Sequence, residues 1–160
     1  MTESALSDLV VLEFGNLVSA AYCTKLMGDL GADVIKIEAP GLGDEARRRE
    51  PFAGDIPGIE RSGLFAYLNT SKRSITLDPS QAAGKKIFLE LVKKADILIE
   101  NQPPALMEKF GLNYEILEKV NPRLIMTSLT PYGQTGPYRD YKAHEINMYQ
   151  GGGYGYISTN

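Results

Sequence analysis

The clearest signal of the fold lies in residues 9–38, LVVLEFGNLVSAAYCTKLMGDLGADVIKIE. The run begins with six mainly apolar residues at 9–14, which are typical of a buried strand, and a Gly-Asn turn follows. Ser19 is placed to cap a helix, Gly31 supplies its stop, and residues 33–38 (DVIKIE) predict a second strand. The apolar face of that helix consists of Cys23, Leu26, Met27 and Leu30. The segment therefore predicts a βαβ unit.

The same alternation continues along the chain. Residues 74–77 predict a strand, and Asp78 with Pro79 is expected to cap and open a helix that reaches Lys94. The remaining elements are a strand at 96–100, two short helices within 104–111 and 114–121, and a strand at 124–129. This order predicts an α/β fold: a Rossmann-like, mainly parallel, doubly wound sheet with helices on both faces.

Five loops follow the predicted strands, and the ligand of such a sheet binds at the carboxyl ends of its strands. The loops are FGNLVSA at 14–20, EAPGLGD at 38–44, LDPS at 77–80, ENQPP at 100–104 and TPYGQTGPY at 130–138. Residues 39–62 are rich in glycine, proline and charge, which favours a functional surface loop over a linker. Residues 1–160 are therefore expected to form one domain.

Charge and composition restrict the possible partners. The 160 residues are 43% apolar and 23% charged, as in ordinary globular proteins. Because 17 basic and 20 acidic residues are interspersed, the net charge of -3 creates no basic field for nucleic acid or an anionic membrane. We therefore expect neither partner, and any anion site must be local.

The sequence predicts a cytoplasmic protein without a metal. Cys23 is the sole cysteine, so it forms no internal disulfide, and no clustered Cys/His ligand set is present. The first residues, MTESALSDLVVLEF, have neither a basic n-region nor a long apolar run, which is unlike a signal peptide or membrane span.

The first strand-to-helix turn lacks the GxGxxG pattern of classical dinucleotide sites. Its small residues Ser19, Ala20 and Ala21 either let a ligand approach the helix N-terminus or simply pack the helix on the sheet. Glu38 ends the second strand where a ribose-binding acid would lie, but without the glycines we interpret it as structural.

Basic residues offer a second kind of candidate. Lys72 and Arg73 are suited to neutralising a phosphate, but adjacent side chains on a strand point to opposite faces. We interpret both as a solvated surface, and we interpret Arg47, Arg48 and Arg49 as a solvated loop.

His144 is the only histidine. A lone histidine is more often a structural hydrogen-bonding group than a catalyst. Here it follows Lys142 and precedes both Glu145 and the glycine run at 151–153, and a neighbouring carboxylate can hold an imidazole ready for proton abstraction beside a carbonyl. No GxSxG is present and Cys23 lies on an apolar helix face, so acyl transfer by a Ser/Cys-His pair has no support.

Four segments together resemble a known family. They are residues 11–40, residues 69–78 (NTSKRSITLD), residues 95–138 and residues 143–147 (AHEIN). From about Leu6 to its end, the chain is similar to the N-terminal part of the family III CoA-transferases. This CaiB/BaiF family includes formyl-CoA and carnitine CoA-transferases and the related alpha-methylacyl-CoA racemases.

The resemblance implies a Rossmann-like domain that binds coenzyme A along the strand-end loops, acyl-CoA and a carboxylic acid as substrates, and a homodimer of interlocked subunits. It places Val18 and Ser19 beside the thioester and pantetheine arm, and Lys109 near the nucleotide phosphates. The other implied cofactor-binding residues are Leu77, Asp78, Pro79 and Ser80 on a segment that lines the cofactor, Asn101 and Gln102 on another binding loop, and Lys142 and Glu145 on a loop that closes over the pantetheine. Two positions depart from some members, because Ser80 stands at a lysine position and Ala39 at that of an arginine near the adenine.

The resemblance also implies how the reaction proceeds. In the transferases an aspartate attacks the acyl-CoA thioester to give a mixed anhydride, CoA then forms a thioester on that carboxylate, and the acceptor acid finally takes the CoA. That aspartate follows the glycine-rich segment by a few tens of residues and matches no residue of this chain. We therefore expect the isolated chain to be inactive.

Two alternatives stay open. In the racemases a histidine and an aspartate exchange protons with the alpha carbon, and AHEIN places His144 at the histidine position. The segment after it, MYQGGGYGYIST, resembles the transferases more, which favours transfer. The second alternative is that the chain is a catalytically inactive CoA-binding fragment, which its glycine-rich end at Asn160 favours.

Overall fold

The computed structural model describes residues 4–158, so Asn160 and the first three residues lie outside the described part. Its centre is a parallel sheet of five strands in the order β3-β2-β1-β4-β5. The strands are β1 Val10–Phe14, β2 Asp33–Glu38, β3 Lys72–Thr76, β4 Ile97–Glu100 and β5 Ile125–Ser128. Strand order reverses between β1 and β4, which is where doubly wound sheets open a ligand crevice.

Helices connect and flank the strands. They are α1 Ser19–Asp29, α2 Gly63–Leu68, α3 Ala82–Val92, α4 Pro104–Phe110, α5 Tyr114–Val120, α6 Glu145–Gly151 and α7 Tyr154–Ile157, with short 3-10 turns at Glu45–Arg48 and Ala53–Asp55. The predicted Rossmann-like α/β fold is confirmed. Within residues 4–158, no helix combines the length and the apolar character needed to cross a membrane.

Alternation along β1 builds two apolar cores. Leu12 and Phe14 face a core completed by α3, α4 and α5, in which the Phe14 and Phe88 rings meet edge to face at 5.4 Å. Val11 faces the opposite core, where Ala20 and other residues of α1 cover the sheet. Burial of both faces explains why β1 is a nearly continuous apolar run.

Two predicted helix starts were wrong. Val18 takes the N-cap position of α1, so Ser19 is the first helical residue and its hydroxyl instead accepts a hydrogen bond from Asn101 at 2.9 Å. Helix α3 begins at Ala82, whereas the Asp78 carboxylate instead accepts the Ser80 amide hydrogen at 2.9 Å and forms a turn. A Cβ on Gly84 would lie 1.9 Å from the Asp78 carbonyl oxygen, so α3 packs directly on this turn.

A buried group of four charges joins the strands on the α1 side of the sheet. The Glu13 carboxylate lies 2.5 Å from Lys36 Nζ and 2.8 Å from Lys72 Nζ, and Lys36 Nζ lies 2.6 Å from Asp44. Thr24 of α1 donates to Glu13 at 2.6 Å. Two positive and two negative charges balance, as buried ions require.

This group corrects the interpretation of Lys72 as solvated. Its side chain is 1% exposed and donates to the Ala21 carbonyl oxygen at 2.7 Å. Burial lowers the pKa of Lys72, while at Lys36 the attraction of Glu13 and Asp44 outweighs burial and raises the pKa. Arg73 is exposed, as expected, and pairs with Asp33.

A second buried carboxylate, Glu38, organises the loop after β2. Arg47 binds it through two nitrogens, at 2.7 and 3.0 Å, and Ser74 donates to it at 2.6 Å. Glu38 is structural, as predicted, but Arg47 is not part of a solvated loop: its guanidinium also lies 3.6 Å from the centre of the Phe65 ring. Burial alone would raise the pKa of Glu38, but the hydrogen bonds from Arg47, Ser74 and the Asp44 amide lower it to about 2.

We predict that Glu13→Gln destabilises the fold by about 3–5 kcal/mol, because it leaves two buried lysines facing a single carboxylate, Asp44. The free energy of unfolding in urea measures the loss. Arg73→Ala, which breaks an exposed pair on the same sheet, should cost less than about 1 kcal/mol. Equal, small losses in both variants would show that the buried group contributes little.

We also predict an acid-sensitive contribution from Glu38. Its pKa falls from an ordinary 4.5 to about 2 on folding, so its ionised form stabilises the protein above pH 4.5 and this contribution disappears as the pH falls towards 2. Unfolding curves of Glu38→Gln should therefore show lower stability than the parent at pH 6 and a smaller difference at pH 2–3. Glu118→Gln, on an exposed part of α5, should follow the parent throughout, and parallel pH curves for Glu38→Gln and the parent would contradict the prediction.

Candidate functional site

Three adjoining cavities follow the carboxyl edge of the sheet. The histidine cavity, of about 630 Å³, is formed by residues 16–19 after β1, 101–103 after β4, 129–131 after β5, and 143–145 with Met148. The central cavity, of about 370 Å³, is formed by 14–16, 37–40, 42–44, 77–79, Gln102, Leu106 and Phe110. The lysine cavity, of about 330 Å³, is formed by 79–82, Lys85, Lys109 and Phe110.

Shared walls connect the cavities into one groove. Asn16 and Gln102 line both the histidine and the central cavity, and Pro79 with Phe110 lines both the central and the lysine cavity. The groove therefore runs across the ends of β5, β4, β1, β2 and β3 and includes the crevice at the switch in strand order.

The β1–α1 turn forms the centre of the groove. The Asn101 side chain binds this turn from the end of β4, with Oδ1 accepting from the Asn16 amide at 2.8 Å and Nδ2 donating to the Asn16 carbonyl at 2.7 Å and to Ser19 Oγ at 2.9 Å. Asp44 accepts the Leu17 amide hydrogen at 3.0 Å from the other side. The turn thus holds Val18, half exposed, against the histidine cavity.

Glu100 fixes the loop after β4. It is buried, and its carboxylate accepts the Gln102 amide hydrogen at 2.7 Å. Burial raises the pKa of Glu100, and hydrogen bonds from Ser128 and Gln102 oppose the rise only in part. Gln102 Nε2 in turn donates to the Phe14 carbonyl at 3.3 Å, so this side chain lies across the end of β1.

The lysine cavity has a simple charge pattern. Among the described residues that line it, Lys85 and Lys109 carry charge and no carboxylate is present. Helix α3 begins at this cavity, so its free amide groups add positive potential. Lys85 was not predicted from the sequence, because it joins Lys109 only where α3 and α4 meet at this cavity.

His144 lies at the N-cap of α6 and lines the histidine cavity together with Val18 and Ser19. Its backbone amide donates to Asn147 Oδ1 at 2.9 Å. The suggested pairing with Glu145 is absent, since within residues 4–158 no hydrogen bond joins the imidazole to that carboxylate. The helix start separates them: His144 is extended and Glu145 is the first helical residue.

Most predicted site residues lie along the groove. Val18, Ser19, Asn101, Gln102, His144 and Glu145 line the histidine cavity, Leu77, Asp78 and Pro79 the central cavity, and Ser80 and Lys109 the lysine cavity. Lys142 is exposed and lines none of these three cavities in the described structure. Across the same described residues, no group of three or more His, Cys, Asp or Glu side chains is placed to hold a metal ion.

Known proteins are similar in sequence to most of this chain. It is 42% identical over 137 residues to the acetyl-CoA:oxalate CoA-transferase of Acetobacter aceti, which covers 86% of this chain and 34% of that protein. It is 39% identical over 160 residues to the succinyl-CoA–L-malate CoA-transferase beta subunit of Chloroflexus aurantiacus. That match covers 98% of this chain and 38% of the Chloroflexus subunit. The chain thus spans about a third of the length of these relatives.

A solved structure shares the fold. A CaiB/BaiF family protein from Brucella suis superimposes with a TM-score of 0.85 at 34% identity, over 95% of this chain and 40% of that one. The profile of CoA-transferase family III matches residues 6–160, nearly all of the sequence. The chain therefore belongs to CoA-transferase family III.

Proposed function

We propose that this chain is the CoA-binding N-terminal part of a CoA-transferase, which moves CoA from an acyl-CoA thioester to a carboxylic acid. The continuous groove at the sheet edge carries the proposal, since its two ends differ as the two ends of CoA do. CoA has an anionic 3′-phospho-ADP end and a long, neutral pantetheine arm that ends in the thioester.

The charges of the groove support one orientation of CoA. The lysine cavity, with Lys85 and Lys109, is suited to the phosphates, because lysines bind phosphate as point charges. The central cavity, with apolar walls that include Leu77 and Phe110, is suited to the pantetheine arm. The thioester then lies in the histidine cavity beside Val18 and Ser19.

In this proposal the chain supplies binding and orientation. The relatives named above are transferases that use oxalate or malate, which supports transfer of CoA to a small carboxylic acid. The carboxylate that attacks the thioester would come from an aspartate outside these 160 residues. The isolated chain is then a CoA-binding unit that does not turn over.

A racemase is the second candidate, because the exposed His144 lines the cavity proposed for the thioester. In that reaction the imidazole would remove the alpha proton of a 2-methylacyl-CoA. Solvent deuterium entering such a thioester without an acceptor acid, catalysed by the full-length protein, would support the racemase. Acceptor-dependent transfer without exchange would support the transferase, which the names of the relatives favour.

We further propose that the protein acts in the cytoplasm as a homodimer. The lone Cys23 is consistent with a reducing compartment. Apolar side chains of α6 and α7 are largely exposed, which supports their burial against a second subunit or against residues outside this chain; they include Ile146, Met148, Tyr154 and Ile157.

We predict that CoA binds this 160-residue chain saturably and more tightly than AMP, because AMP lacks both the pantetheine arm and the 3′-phosphate. Calorimetric titration of each ligand measures the difference. Equal affinity for the two ligands would contradict an assembled CoA groove, as would a folded chain that binds neither.

A further prediction concerns the affinity contributed by the lysine cavity. Lys85→Ala and Lys109→Ala should each lower the affinity for CoA about tenfold, or about 1.4 kcal/mol in binding free energy, because each removes one phosphate partner. Lys86→Ala is the matched control, since Lys86 is the next residue on α3 but is exposed and does not line the cavity. Losses of the same size in all three variants would indicate only a general charge effect.

A further inference from the structure

We infer that Asn101 is a positioning residue: its side chain holds the β1–α1 turn in the shape that receives the thioester end of CoA, and it does not itself bind CoA. This inference rests on the proposed function. It replaces the direct contact that the family resemblance implies for Asn101.

The hydrogen bonds of Asn101 leave its amide no free donor. Both hydrogens of Nδ2 are used, one on the Asn16 carbonyl at 2.7 Å and one on Ser19 Oγ at 2.9 Å. Oδ1 accepts the Asn16 amide hydrogen at 2.8 Å. A ligand would have to break one of these bonds before the side chain could donate to it.

The turn needs this support because its backbone is unusual. Leu17 adopts a φ of 59°, a left-handed conformation that costs a side-chain-bearing residue about 1 kcal/mol or more. Asn101 pairs with both backbone groups of the preceding Asn16, and Asp44 accepts the Leu17 amide hydrogen at 3.0 Å. The strained residue is therefore fixed from two sides.

Close packing around Gly15 also indicates that Asn101 supports the turn. A Cβ on Gly15 would lie 3.0 Å from Asn101 Oδ1 and 2.5 Å from the Ala20 Cβ, so Asn101 approaches the turn where only glycine fits. Asn101 comes from β4 and the turn from β1, the two neighbouring strands between which the strand order reverses. One side chain thus links the two walls of the histidine cavity and fixes the position of Val18 between them.

The test compares two ligands that share a phosphate end. Adenosine 3′,5′-bisphosphate reaches the lysine cavity but lacks the arm that reaches the turn, whereas CoA has both. Asn101→Ala should lower the affinity for CoA at least tenfold, whereas its affinity for adenosine 3′,5′-bisphosphate should stay within twofold of the parent's. Asn101→Asp keeps the acceptor for the Asn16 amide but turns a carboxylate oxygen towards the Asn16 carbonyl oxygen in place of the Nδ2 donor, so it should lower the CoA affinity at least as much as Asn101→Ala. Asn113→Ala, at the start of α5, is the control of the same residue type and should change neither affinity.

Three results would overturn the inference. An unchanged CoA affinity would show that the turn does not depend on Asn101. Equal weakening of both ligands would show a general structural defect. An Asn101→Asp variant with the CoA affinity of the parent would show that the hydrogen bonds donated by Nδ2 do not shape the turn.

A second measurement separates this inference from the proposed function. Amide hydrogen exchange of the free protein should be faster at Asn16 and Leu17 in Asn101→Ala and unchanged at residues 82–92 of α3. If the parent binds no CoA, the proposed function fails, and the exchange rates still decide whether Asn101 holds the turn. Unchanged exchange at Asn16 would overturn the inference by itself.

Discussion

The Glu13 carboxylate is the interaction on which much of the structure depends. It lies between two lysines of neighbouring strands, and one of them, Lys36, continues the contact to Asp44 in the loop after β2. Buried charges cost several kcal/mol each unless they are paired, so the strands and the loop must keep these positions relative to one another. An ionic group inside a sheet therefore fixes the register more strictly than apolar packing alone, because apolar contacts tolerate small shifts.

This interior group extends to the groove through Asp44. One oxygen of Asp44 faces Lys36, while the other accepts the amide hydrogens of Leu17 and Ala46 at 3.0 and 2.7 Å. The β1–α1 turn is thus tied to the buried charges on one side and to Asn101 on the other. A site that must place a thioester accurately benefits from such support, since misplacement by about 1 Å is costly in catalysis.

Charge is distributed along the groove in a way that the net charge of -3 does not reveal. Most carboxylates next to the groove have a partner. Glu38 pairs with Arg47, Asp44 pairs with Lys36, and Glu100 accepts a hydrogen bond from the Gln102 amide. The lysine cavity has no acid among its described lining residues, so its positive potential is not cancelled locally. An overall acidic protein can in this way hold an anion at one end of a groove, because the potential at short range depends on neighbours within a few ångströms.

The order of the five strands and of α1, α3, α4 and α5, and with it the fold class, was predictable from the sequence, because apolar periodicity and glycine stops are local signals that fold into one topology. Helices α2, α6 and α7 were not predicted. The same signals predicted which loops meet at the carboxyl edge, and most residues that the family resemblance assigned to CoA lie along the groove, where their contact with CoA stays a prediction. The helix starts at Ser19 and Pro79 were wrong by one and three residues, since caps depend on how the turn packs. The structural roles of Lys72 and Arg47, and the position of Lys85 beside Lys109, depend on tertiary contacts. Lys72 meets Glu13 across 59 residues of sequence, and no local pattern records a charge pair that forms only when β1, β2 and β3 lie side by side.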